Sequence, residues 1–282
     1  MSRNALTTVT ANARIQPCSR ISIDNSFKGY QPESERIVSK FKVKENEMLK
    51  RLKPFYSDKL ATALRNCLAA GYRPLYLPEI IQMRLLSSGD SWLWQKWFTT
   101  PSIEATGRTK QGTPIILYVH TENIFSNPAN IDAAIHREIR FGYYAIPNAE
   151  FRRLLKLGEN GETDKSGNRL VWVIDHEKLK SFRSKMLTVI KSVSAALRHH
   201  QILPFIGSED LARVYLARFL EVYNKDEIIL TDTDVNDISD QPTGRPLFVG
   251  DGNSWDGGFG GSKFLDLNGR FVGIPAERNG KD

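Results

Sequence analysis

Cysteine is scarce in this chain: Cys18 and Cys67 are the two in 282 residues. That excludes a disulfide-stapled scaffold and the ligand spacing of a cysteine zinc site. Cys67 falls on the apolar stripe of a predicted helix and reads as a core residue, so a reducing, cytoplasmic setting is the expectation. No run of about 18 apolar residues occurs, which leaves no transmembrane helix legible. The N-terminus carries no apolar signal region either.

Catalytic signatures are missing as well. There is no GxSxG elbow, no HExxH pair and no suggestive Cys/His spacing. Glycine is abundant only near the C-terminus, where FVGDGNSWDGGFGGSKFLDLNGRFVG spans 248–273. It cannot be a phosphate cradle, because Ser262 precedes Lys263 and a strand follows where a P-loop or dinucleotide site needs a helix. As a calcium loop it offers Asp251, Asn253 and Asp256 but lacks the closing carboxylate. The remaining reading is an Ω-type loop over 251–262, with Trp255 available to pin it or to touch a ligand.

What is present is charge, unevenly spread. Residues 1–60 carry 12 Lys/Arg against 6 Asp/Glu, and residues 61–200 carry 19 against 12. Residues 201–282 reverse this, with 8 against 14. A basic body with an acidic C-terminal part fits a polyanion or a partner subunit on one face. The first acidic residue is Asp24. Residues 1–33 therefore read as a flexible basic arm, with an organelle transit segment as the alternative.

From Ser34 onward the elements are ordered. Helices are expected from Ser34 to Lys53, from Ser57 to Gly71, and from Pro78 through PEIIQMRLL. SWLWQKWF then packs three tryptophans as a core plug. Ile103–Arg108 and Thr113–His120 read as a hairpin, followed by helices to Arg140 and to a stop at Gly158. RLVWVID (169–175) and EIILT (227–231) are buried-type strands. Between them, Leu179, Phe182, Met186, Ile190, Val193 and Leu197 step at helical spacing over 177–200. Ser208 caps a further helix. At the end, RPLFVG and the hairpin FLDL-NG-RFVG form three strands around a type I′ turn.

The expectation is an α/β or α+β domain over 34–282: a mixed sheet with helical crossovers and a C-terminal antiparallel β-meander carrying the Gly-rich loop. If the buried strands are parallel, their carboxyl ends gather His120, Asp175, His176, Asp232 and Asp234, which could hold Mg, Mn or Ca. EIILTDTDVND resembles, over eleven residues, the strand-then-DxD arrangement of nucleotide-sugar transferases. That resemblance implies carboxylates holding a metal against a diphosphate. Separately, Lys178, Lys180, Arg183, Lys185 and Lys191, with Arg152 and Arg153 on a neighbouring helix, offer phosphate contacts.

Two functions follow. One is a non-catalytic binding or assembly protein with a basic face for nucleic acid, another polyanion or partner subunits. The other is a metal-assisted enzyme acting on a phosphate-bearing or glycosyl substrate.

Overall fold

The computed structural model describes residues 47–140, 142–165, 167–175, 187–231, 238, 240–252, 258–261, 265 and 267–276. All fall in the unit Lys40–Asp282. The basic arm, and most of the helix expected from Ser34, lie outside the described residues.

Residues 47–51 are helical and stop before Pro54, which sits in strand β1 (Lys53–Ser57). Helix α1 (Leu60–Ala69) and β2 (Tyr72–Pro74) follow, then α2 (Leu77–Leu86), with Pro78 in its first turn as its lack of an N–H favours. The short α3 (Trp92–Gln95) leads into β3 (Phe98–Arg108) and β4 (Pro114–Val119), the expected hairpin. Next come α4 (Pro128–Ala134), β5 (Glu138–Arg140), β6 (Tyr143–Ala145), α5 (Asn148–Glu159) and β7 (Val171–Asp175). The chain continues through β8 (Leu187–Ile190), α6 (Val193–Leu197), α7 (Ile202–Ile206) and α8 (Glu209–Tyr223). It ends in β9 (Ile228–Thr231), β10 (Thr243–Val249), β11 (Phe259–Gly261) and β12 (Gly269–Pro275).

Among the described residues the strands form two sheets. The larger runs β7-β4-β3-β10-β11-β9-β8, with β6 on β10 and β5 on β6; the smaller is β1-β12-β2. The α+β class is as expected, but the pairings differ from those read in the sequence. β4 and β7 are antiparallel, with Val119 opposite Val171 and Ile115 opposite Asp175. Only β9 and β11 pair in parallel among the described residues.

Both-face burial does not require a parallel sheet, and β4 shows why. Its alternate residues Ile116 and Tyr118 enter one core cluster, while Ile115, Leu117 and Val119 enter the other. Helices cover each face: α2 and α8 contribute to the first cluster, α1 and α5 to the second. An alternating strand with cover on both sides reads as a continuous apolar run.

Three further expectations are corrected. The helix read over 177–200 gives way at Leu187–Ile190 to a strand paired antiparallel with β9. Val189 and Ile190 are β-branched, and tertiary pairing overrides a helical period. The helix expected through Arg140 stops at Ala134, and Glu138–Arg140 is a strand. Gly158 is no helix stop: it lies inside α5, where a Cβ would press on Val171 and Val173 of β7.

The C-terminal meander is also replaced. β12 leaves its sequence neighbours to pair with β1 and β2, while β10 pairs with β3, β6 and β11. Asn268 and Gly269 have no positive φ, so the type I′ turn is absent. Gly269 instead makes room for the backbone of Leu60.

Candidate binding surface

At one end of the central sheet, β3 begins and β10 ends: Phe98 lies opposite Val249. The next residues, Trp97 and Gly250, leave the sheet side by side, and the Gly-rich segment starts there. Its first part closes on itself, since the Gly250 N–H donates to the Gly258 carbonyl at 2.8 Å. The strand β11 then begins where the sequence reading still expected loop. The interior 253–257, with Trp255 and Asp256, lies outside the described residues.

Arg84 is the centre of the support beneath this loop. It is the lone cation of the apolar helix α2, and its side chain is fully buried. Its Nε donates to the Leu93 carbonyl at 2.8 Å, and one Nη donates to Lys96 and Gly250 carbonyls at 2.9 and 2.7 Å. The other Nη donates to the Tyr215 hydroxyl at 2.9 Å. The guanidinium also lies 5.3 Å from the Trp94 ring, which stacks on Tyr215. A planar fork with five donors suits this convergence, and a lysine cannot reproduce it. Trp94 donates its indole N–H back to the Arg84 carbonyl at 2.8 Å, so the expected tryptophan plug is realised by Trp94.

Tyr223, from the end of α8, donates its hydroxyl to the Trp94 carbonyl. Burial raises its pKa, and the phenol remains a donor. Gly252 lies on the Tyr223 ring with φ +69°, so any Cβ there would overlap the ring in a backbone conformation that favours glycine. Asp251 is near enough to the phenol to raise its pKa further.

On the far side of the loop, Gly261 of β11 packs on the Arg245 guanidinium, where a Cβ would collide. Arg245 pairs with Glu104 through Nε and Nη at 3.2 and 3.3 Å, both residues being buried. Tyr143 donates to the same carboxylate at 2.6 Å, and its ring lies 4.6 Å from the guanidinium. Burial, the largest single influence, lowers the Arg245 pKa, but the Glu104 charge and hydrogen bond together with the Tyr143 and Tyr118 phenols outweigh it and raise the pKa. Burial raises the Tyr143 pKa, keeping that phenol a donor to Glu104.

The expected strand-end cation site is not assembled from its described members. His120 and Asp175 stand at opposite ends of the β4–β7 pair, roughly 17 Å apart along the strand. His120 is buried, with Nε2 2.6 Å from the Pro204 carbonyl and Nδ1 2.9 Å from the Ser102 hydroxyl. The carbonyl can only accept, so Nε2 carries the proton and Nδ1 accepts from Ser102. Neither nitrogen is left for a metal. No group of three or more His, Cys, Asp or Glu that could hold a metal occurs among the described residues. His176, Asp232 and Asp234 lie outside them.

Of the expected polyanion contacts, Lys178, Lys180, Arg183 and Lys185 lie outside the described residues, and Lys191 is exposed just before α6. Arg152 and Arg153 are neighbours on α5 with different surroundings. Arg153 is occupied by Glu150 and the Glu122 carbonyl. Arg152 joins Lys110 and Lys156 in a cleft of about 830 Å³ between α5 and the β3–β4 turn, with Phe151 and Leu155 on its wall. Arg108, also there, is bridged to Asp240 at 2.9 Å. This cleft adjoins Arg108, the opposite end of β3 from the Gly-rich loop.

Arg84, Glu104, Tyr143 and Arg245 were missed in the sequence reading. The available signal is a charge set in or against an apolar stretch: Arg84, the lone cation of PEIIQMRLL, Glu104 in SIEATG and Arg245 at the head of RPLFVG. Among the described residues no helix is long and apolar enough to cross a membrane.

No family model and no curated protein matches this sequence. A solved structure does match. It is described by the words "Accommodation of massive sequence variation in Nanoarchaeota by the C-type lectin fold". It shares 43% identity and a TM-score of 0.67, covering 79% of this chain and 97% of that one.

Proposed function

This chain belongs to the C-type lectin fold family, and from that premise we infer that it is a non-catalytic binding protein whose recognition surface is the Gly-rich loop end. The observation that carries this reading is the way the loop is held. Arg84 grips three backbone carbonyls, Leu93, Lys96 and Gly250, and the loop ends meet through the Gly250 N–H and the Gly258 carbonyl. Backbone groups are the same whatever the side chain. A loop anchored so can change its residues without losing its seat. That is the property a fold needs in order to accommodate the sequence variation described for the related protein.

Selection tests this. The full chain is displayed with positions 253–256 randomised and panned against several unrelated proteins. The reading expects folded binders to more than one target, each with a different loop sequence. Folded libraries that yield no binder to any target contradict it.

A second reading is favoured by the cleft on α5. Lys110, Arg152 and Lys156 converge there from two elements, which supports the basic face for a polyanion. Binding of a short oligonucleotide should weaken steeply with salt and fall further in a Lys110→Gln, Arg152→Gln, Lys156→Gln variant. Equal binding by that variant contradicts it.

A further inference from the structure

We propose that Arg270 is a preoriented anchor for a carboxylate of the bound partner, a reading that rests on the loop end being the recognition surface. Arg270 of β12 lies directly opposite Tyr56 of β1 in the antiparallel register. Its guanidinium is 5.1 Å from the Tyr56 ring and 5.2 Å from the Trp97 ring. Trp97 is the residue that leaves the sheet beside Gly250, so the clamp flanks the start of the loop. Two aromatic contacts on one guanidinium fix its plane, and they remove the rotamer freedom that an arginine otherwise loses on binding.

What the clamp leaves open is the hydrogen-bonding edge. A guanidinium has five N–H donors. The buried arginines spend them, Arg84 on three carbonyls and a hydroxyl and Arg245 on Glu104, and the exposed Arg73 spends them on Glu79 in a bidentate pair. Among the described residues Arg270 makes ring contacts only, and no carbonyl or carboxylate of theirs accepts from it. Asp58, just after β1, accepts from the Tyr56 hydroxyl at 3.2 Å. Arg270 is partly exposed, so solvent and a partner can reach it. A carboxylate meets that planar fork with two parallel hydrogen bonds, the geometry in which arginine surpasses lysine.

The test is a two-dimensional NMR titration of the full chain, following the Arg270 Nε–H and the Trp97 indole N–H. The probes are the capped peptide acetyl-Asp-Glu-Asp-amide, its Asn-Gln-Asn counterpart, and inorganic phosphate. The expected result is saturable movement of both signals with the acidic peptide and none with the amide peptide. Arg270→Lys and Arg270→Gln should each weaken the response at least about tenfold, because charge without the fork is not enough. Their melting temperatures confirm that each variant is folded, and Arg213→Gln, at an exposed arginine of α8 paired with Glu209, leaves the response unchanged. Movement with phosphate alone, no movement, or a Lys variant equal to the parent overturns the proposal. Loop-library selection fails or succeeds independently of this titration, so the two readings fall separately.

Discussion

Arg84 and Arg245 are charged side chains placed where water does not reach, and each is tolerated because its donors are met. The consequences of removing them differ from those of removing an apolar residue. Arg84→Met keeps the volume but leaves the carbonyls of Leu93, Lys96 and Gly250 without their donor. Each buried carbonyl left unsatisfied costs about 1–3 kcal/mol, so the melting temperature should fall by about 10 °C. The Gly250 amide should also exchange faster with solvent. A small change in both would mean that Arg84 is not the anchor. Gly261→Ala tests the other side of the loop. Its methyl would displace the Arg245 guanidinium from Glu104, with an expected loss of about 2–4 kcal/mol in denaturant unfolding.

The same residues show what the sequence could and could not convey. Cys67 sits in the core as its helical stripe implied, its thiol pushed up to about 12 by burial. Arg84 was invisible as a function-bearing residue because its acceptors are backbone carbonyls 9 to 166 positions away. No local pattern encodes such partners.

Between elements, His120 acts as a joint. Leu77 at the start of α2 donates its N–H to the Ser102 hydroxyl of β3 at 2.9 Å; Ser102 donates to His120 after β4, and His120 donates to Pro204 of α7. Burial lowers the His120 pKa to about 4, although the Pro204 hydrogen bond resists this. Burial likewise lowers His199 to about 3, with help from His200, and His200 itself to about 4. A folded histidine with a depressed pKa binds fewer protons than the unfolded one between that value and about 6.5. Stability is therefore fully present above pH 6.5 and declines as the pH falls through 6.5 toward 4. His120 contributes on the order of 2–3 kcal/mol to that decline. The melting temperature should be flat from pH 8 to 7 and drop steadily below 6.5. His120→Ala should lower the plateau and make the acid limb shallower; an unchanged acid limb would remove His120 from the account.

At this scale the sequence was legible where an element is local and lost where it is not. Ser208 caps α8 by accepting the Leu211 N–H, and the β3–β4 hairpin stands as read. Leu187–Ile190 carried a helical period but has a strand partner some 40 residues later, in β9. The two strands on either side of β12 come from the N-terminal end of the described chain. Adjacency in sequence placed β12 in a meander with β10; long-range pairing placed it elsewhere.

Across the whole molecule, fold class was within reach because both-face burial and the helix count limit the architectures. Strand direction was not, since a doubly covered antiparallel strand and a parallel strand share one apolar signature. Beneath the loop, the charged residues that the structure brings together, Arg84 and the Glu104–Arg245 pair, are engaged with backbone or with one another. The proposed function divides the work accordingly, with folding resting on residues beneath the loop and recognition on residues within it.

The most direct measurement of that division is thermal unfolding of a small panel in which Asn253, Ser254, Trp255 and Asp256 are replaced together by unrelated sets of side chains. The account predicts melting temperatures within about 3 °C of the parent for every set, a spread of about 1 kcal/mol. In the same panel, Arg84→Met should fall far below all of them. A panel in which loop replacement costs as much stability as Arg84→Met would contradict the separation of framework from recognition.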